Sequence, residues 1–275
     1  MKTKKINYRL FIIPLFIIIT ANLIVSIFLS ASTTSNTNNN LYTANNLAVN
    51  PDKKQLSSIE LFTDAYKNLN NAKNVTIKSS GEITSIGKQT INLTKVYDGA
   101  TYFLQSIVAG LKSSATRIYY SGQTVTKIIG TDIGNNTANW NGKVTNYTLN
   151  EFLNIYTLNP SAHIPYDINP LSVISGTDVD KTPDGNYNFT ISLHSQLAVK
   201  SYAKNLKATL KLKSEPEFKQ VTLNVTLDSS LNFSKIDLYE NYNVKIVGVN
   251  KNCTTSMSTT FNFDKKAIVP KTNKI

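Results

Sequence analysis

Apolar positions along this chain follow two spacings, and the switches between them mark its elements. The clearest two-residue period lies at 221–227, where Val221, Leu223, Val225 and Leu227 alternate with Thr222, Asn224 and Thr226. Successive side chains of a strand point to opposite faces, so this segment predicts a strand with one apolar and one polar face. Tyr187, Phe189, Ile191 and Leu193 alternate in the same way with Asn188, Thr190 and Ser192, and Met257, Thr259, Phe261 and Phe263 form a last such strand. Near the start of the patterned region, Val75, Ile77 and Ile83 alternate with Thr76, Lys78 and Glu82 around Gly81. Further strands are predicted over 89–97, 101–108, 116–121, 124–129 and 172–178. Asp98-Gly99, Gly110 and Ser121-Gly122 stand between them as turn residues, because glycine accepts positive φ without a steric cost. A strand at 231–242 follows the turn Asp228-Ser229-Ser230, and its apolar parity shifts between Phe233 and Ile236, which predicts a bulge near Lys235.

The helical period appears three times. Over 55–70, Ile59, Phe62, Ala65, Tyr66 and Leu69 share one face, and Ser57 with Glu60 makes a capping box. Thr148 and Glu151 repeat the box and open a short helix to 158, which Pro160 stops. Pro160, Pro165 and Pro170 then space out a loop. Ser195 is placed to cap a third helix to about Lys211, with Leu197, Tyr202, Leu206 and Leu210 on one side and lysines largely on another.

Before all this, Lys2, Lys4, Lys5 and Arg9 precede a stretch at 10–29 that carries no charge. About 20 apolar residues suffice to cross a bilayer core, and the basic flank stays cytoplasmic. An uncleaved membrane anchor is the expectation, which places the rest of the chain outside the cytoplasm. The alternative is a signal peptide cut near Ser30-Ala31-Ser32, followed by secretion. No cysteine stands at the end of the apolar run, where Ser30-Ala31-Ser32 follow, which excludes a lipoprotein anchor. Residues 32–54, rich in Ser, Thr and Asn, cannot bury enough apolar surface to offset the entropy of ordering them. The expected organisation is therefore an anchor or signal segment at 1–31, a disordered linker at 32–54, one β-rich domain at 55–264 and a basic tail at 265–275.

Charge and composition narrow the function. Of the formal net charge of +12, the four basic residues before Leu10 account for part and leave +8 on the remainder. A basic surface outside a cell suits an anionic membrane surface or wall polymer, with simple solubility as the plain alternative. The single cysteine, Cys253, excludes an intramolecular disulfide and is expected to be a buried, inert thiol. His163 and His194 are too few and too distant for a metal site, and a structural role is expected for each. No Gly-x-Ser-x-Gly elbow and no glycine-rich phosphate loop is present, so enzymatic and nucleotide chemistry lack support. Tyr97, Tyr102, Phe103, Tyr119 and Tyr120 interleave with Lys95 and Arg117, but aromatics at strand spacing belong more often to a sheet than to a nucleic-acid surface. No cofactor, metal or nucleic acid is expected.

The element order is a leading helix, a meander of Thr-rich strands, a middle loop, then a helix and further strands. With the pattern at 72–85 and the helix-strand-strand run at 195–242, it resembles the lipoprotein-carrier family of LolA, LolB and LppX. The resemblance implies an open antiparallel half-barrel curled round two or three helices, an α+β fold dominated by β-structure. It also implies an apolar cavity that carries a lipid or other amphiphile. That family uses a diffuse apolar wall rather than a motif, so its residues are not carried over singly. The apolar strand faces here nominate Val75, Ile77, Ile91, Leu93, Phe189, Ile191, Leu223, Val225, Ile236 and Leu238 as the ligand wall. A non-enzymatic lipid binder is the leading expectation. Its rival is a structural or adhesive surface protein without a small ligand, and a hydrolase stands third. The discriminating feature is an internal apolar cavity, which carriage needs and adhesion does not.

Overall fold

The computed structural model describes residues 57–85, 87–110, 113–156, 163–169, 171–210, 212–246, 249–263 and 267–271. The expected anchor and linker lie outside the described residues. Among the described residues no helix is long and apolar enough to cross a membrane.

The first element is α1 (Ser58–Asn71), and its capping box forms as the spacing requires. The Glu60 N–H donates to Ser57 Oγ at 3.2 Å, and the Ser57 N–H donates to Glu60 Oε2 at 2.9 Å. Six strands follow: β1 (Val75–Thr84), β2 (Lys88–Tyr97), β3 (Thr101–Ala109), β4 (Ser114–Ser121), β5 (Thr124–Ile129) and β6 (Val144–Thr148). Next comes α2 (Leu149–Tyr156), whose box is closed by the Thr148 N–H to Glu151 Oε2 at 2.7 Å. The second half holds β7 (Val173–Gly176), β8 (Asp180–Lys181), β9 (Tyr187–Leu193), α3 (Lys200–Leu210), β10 (Glu217–Leu227), β11 (Phe233–Ile246) and β12 (Val249–Asn262).

All the strands join one antiparallel sheet of twelve, in the order β6-β5-β4-β3-β2-β1-β12-β11-β10-β9-β7, with β8 also paired to β9. The first and last strands are thus neighbours at the centre, and two meanders spread outward from their seam as wings. The ends of the path, β6 and β7, do not pair with each other, so the sheet is open. At the seam Gly81 faces Met257. A Cβ there would meet the Ser256 carbonyl oxygen and would lie 2.7 Å from the Met257 Cα, so only glycine lets the two strands approach.

One face of the sheet carries the main core, which runs through both wings and takes in α1, Phe152 of α2, and Tyr202 and Leu206 of α3. Phe62 of α1 meets Phe233 of β11 edge-on, with ring centroids 5.6 Å apart. The fold is therefore the expected β-dominated α+β arrangement, an open antiparallel sheet with three helices among the described residues.

Several details depart from the sequence reading. β6 and β8 carried no alternation strong enough to be recognised, since every β6 position is at least partly exposed and β8 is only two residues long. The third helix starts at Lys200, because residues 195–199 form a turn. His194, not Ser195, organises that turn: its Nδ1 accepts from the Gln196 and Leu197 N–H groups at 3.2 and 3.4 Å. The carboxylate of Asp167 accepts from the Ser201 N–H at 3.0 Å, supplying from a distant loop an acceptor for the first turn of α3. The expected bulge is present, as the β10–β11 register shifts between Thr226↔Lys235 and Leu227↔Phe233.

Candidate functional site

All ten nominated wall residues, Val75, Ile77, Ile91, Leu93, Phe189, Ile191, Leu223, Val225, Ile236 and Leu238, are buried and belong to one core on one side of the sheet. Strand alternation put them there, since each sits at the parity that faces inward. Leu223, Ile236 and Leu238 line a small apolar cavity of about 30 Å³, closed by Ile164, Pro165 and Tyr166. A ligand pocket has a volume of several hundred Å³. The other seven nominated residues are not part of this cavity's lining.

What covers the cavity is an irregular strap, residues 163–169, tied down on both wings. From β2, the Lys95 Nζ donates to the His163 carbonyl oxygen at 2.9 Å. From β11, Glu240 Oε1 accepts from the Tyr166 hydroxyl at 2.6 Å. Toward α3, the Asp167 N–H donates to the Ala198 carbonyl oxygen at 2.8 Å. The His163 ring lies over Tyr97 and Tyr102, with centroids at 6.2 and 5.8 Å.

Both anchoring charges are buried, and burial governs their protonation. Glu240 is fully enclosed, which pushes its carboxyl up to about 7, while hydrogen bonding to Tyr166 and Thr255 acts in the opposite direction. Lys95 is held well below the usual lysine range by the same desolvation. His163 is pulled down to about 4, by burial first and by the nearby Lys95 second, so it is neutral at pH 7.

Around Glu240 the wall turns polar. Thr255 faces it across the β11–β12 pair, Tyr242 is two residues further along β11, and Tyr202 reaches in from α3. The rings of Tyr166, Tyr202, Phe218 and Tyr242 form a chain with centroid separations of 6.0, 5.3 and 4.9 Å. Glu240 Oε2 and the hydroxyls of Tyr202, Tyr242 and Thr255 are buried without a hydrogen bond of good geometry among the described residues. Buried polar atoms are satisfied in nearly all folded proteins, so four exceptions in one cluster mark a special place.

Sequence reasoning found the apolar wall and missed this cluster. The available signal was parity: Glu240 stands between the inward Leu238 and Tyr242, and Lys95 between the inward Leu93 and Tyr97. A charge at an apolar-parity position is a buried charge, and the strand pattern contains that information. Cys253 is also inward, and burial raises its thiol to about 12, as suits an inert side chain. No group of three or more His, Cys, Asp or Glu residues is placed to hold a metal among the described residues.

No protein-family model matches the chain, and no curated protein matches it. Among solved structures it is similar to a LolA superfamily protein from Nitrosomonas europaea, at 11% identity over 75% of this chain and 94% of that one, with a TM-score of 0.25. A porin-like protein from Bacteroides uniformis shows 12% identity over 70% and 96% of the two chains, with a TM-score of 0.21. At such scores neither likeness bears on ligand or activity, and the functional reading rests on this chain's own residues.

Proposed function

We propose that this is an exported, non-enzymatic protein that binds an amphiphile on the inner face of its open sheet, beneath the strap at 163–169. The observation that carries the reading is the strap itself. It covers an apolar wall built by Leu223, Ile236, Leu238 and Phe261, yet it is irregular and is held by a few polar ties rather than by a continuous strand ladder. Lifting it would open the small cavity toward the size an acyl chain requires. Each methylene then buried contributes about 0.8 kcal/mol. The segment at 10–29 would hold the domain at the outer face of the membrane, close to a supply of amphiphiles, and the basic charge would strengthen contact with anionic surfaces.

One observation favours the structural or adhesive reading instead. Beneath the strap only a small cavity is left against Leu223, Ile236 and Leu238, while the outer face of β9–β12 presents Thr, Asn and Ser to solvent. Native mass spectrometry of residues 33–275, purified without detergent and then extracted for lipid, separates the two. A stoichiometric amphiphile is expected in the wild type, together with its loss in Leu238→Trp while the fold is retained. A protein that remains free of adducts after incubation with membrane lipids would reject carriage and leave the adhesive role.

A further inference from the structure

The same inner face implies a head-group preference, an inference that rests on the binding reading above. We infer that the amphiphile taken up beneath the strap carries a protonated amine head, which pairs with Glu240 in the polar cluster at the end of the apolar wall. Tyr166 joins the two regions: its ring closes the apolar cavity, and its hydroxyl bonds Glu240 Oε1. A ligand that lifts the strap removes Tyr166 from both places at once. Its chain replaces Ile164, Pro165 and the Tyr166 ring against Leu223 and Leu238, and its head replaces the phenol on the carboxylate.

The chemistry of the cluster selects that head. Glu240 makes no ion pair among the described residues, and its second oxygen, with the Thr255 hydroxyl near the carboxylate, accepts no hydrogen bond of good geometry among them. An isolated buried carboxylate is strongly disfavoured unless it is paired or protonated. An ammonium group brings three donors and the opposite charge. Two of its protons can meet Glu240, and the third can reach the phenol oxygen of Tyr202 or Tyr242 or the Thr255 hydroxyl, all of which can accept. A carboxylate or phosphate head would face Glu240 with like charge in a region of low dielectric, and among the described residues no lysine or arginine acts on Glu240 to counter it. An uncharged hydroxyl head can donate once and gains no charge complement. The inner-face lysines Lys95 and Lys127 are engaged elsewhere, Lys95 with the strap's other end at His163 and Lys127 with the Tyr156 hydroxyl of α2.

The test uses the full chain in its membrane at pH 8, with three photoreactive probes of equal chain length that end in an amine, a hydroxyl or a carboxylate. Crosslinked peptides are quantified by mass spectrometry at 221–227 and 233–246, the strands that wall the cavity. A charge-assisted hydrogen bond corresponds to roughly a tenfold preference or more, so the amine probe is expected to label these peptides at least about tenfold more strongly than the carboxylate probe. Glu240→Gln, which keeps the shape, should bring that preference below about threefold, and Tyr242→Phe should weaken amine labelling without affecting the carboxylate probe. Equal labelling by all three probes, or an amine preference that survives Glu240→Gln, would overturn the head assignment and leave amphiphile binding intact. Labelling of neither strand by any probe would overturn both.

Discussion

Strands β3 and β10 belong to one sheet, yet they meet solvent differently, and the contrast extends to the wings that hold them. β10 alternates, with Val221, Leu223, Val225 and Leu227 buried and the residues between them partly or fully exposed. β3 is buried on both sides, because Leu104, Ser106 and Val108 face inward while Phe103 and Ile107 are covered from outside. Two segments make that outer cover. The loop after β5 folds back, with the Gly130 N–H donating to the Ala115 carbonyl oxygen at 2.9 Å and Trp140 lying 4.1 Å from the Arg117 guanidinium. Further along, Ala267 and Val269 pack on a second cluster of Val96, Phe103, Tyr119 and Ile128. On the outer face of the second wing, polar side chains bond one another instead, as Thr190 to Asn224 at 2.9 Å and Asn252 to Asn241 at 2.7 Å. Among the described residues the first wing thus has a cover on each face, and the second has one only on its inner face. A near-continuous apolar run signals the first condition and strict alternation the second.

The contrast can be broken most severely from within the main core. Phe62→Ala should destabilise the protein by about 4 kcal/mol in urea melts, because a fully buried ring beneath the second wing is lost. Phe103→Ala, at the thinner outer cluster, should cost about half as much, since the tail above it can settle. Equal losses would deny that the inner face holds the main core. Next in size is the seam that joins the wings. Gly81→Ala should cost about 3 kcal/mol, because its Cβ collides with backbone, and Gly122→Ala, in open space at φ 59°, only about 1 kcal/mol.

Two buried groups at the strap, Glu240 beneath it and His163 within it, should oppose each other with pH. Glu240 has a raised pKa, so between about 4.5 and 7 the folded state binds more protons than the unfolded one, and its contribution to stability falls as pH rises. His163 has a lowered pKa, so between about 4 and 6.5 the folded state binds fewer, and its contribution rises with pH. The two shifts are alike in size, and the wild type should be nearly flat from pH 4.5 to 6.5. Glu240→Gln should reveal stability rising with pH by up to about 3 kcal/mol over that range, and His163→Gln should reveal a fall of similar size. A sloping wild-type profile that neither variant alters would place the titrating groups elsewhere. The smallest effect concerns the tail. Ending the chain at residue 266 should cost about 1 kcal/mol and leave the inner core intact, detected as a small decrease in denaturation midpoint with unchanged near-ultraviolet signal from the core tyrosines.

Much of this fold can be read without coordinates, because its elements are local. Ser57 with Glu60 and Thr148 with Glu151 are three residues apart, and the geometry of a helix start brings each pair together whatever surrounds it. Alternation in β9 and β10 likewise needs no partner to be visible. β6 was hidden because an edge strand exposed along its length has no reason to alternate. The start of α3 was misplaced because its first-turn acceptor comes from Asp167, more than thirty residues upstream.

The sequence by itself therefore determined strand faces, helix caps, turn glycines and the apolar identity of the inner wall, since each depends on spacings of a few residues that backbone geometry converts directly into direction. Only the tertiary structure decided that the first and last strands meet at Gly81, that a strap covers the wall, and that Lys95 and Glu240 tie it down from opposite wings. Those contacts join residues tens to nearly two hundred positions apart, and local periodicity carries no information about which distant partner a buried charge will find.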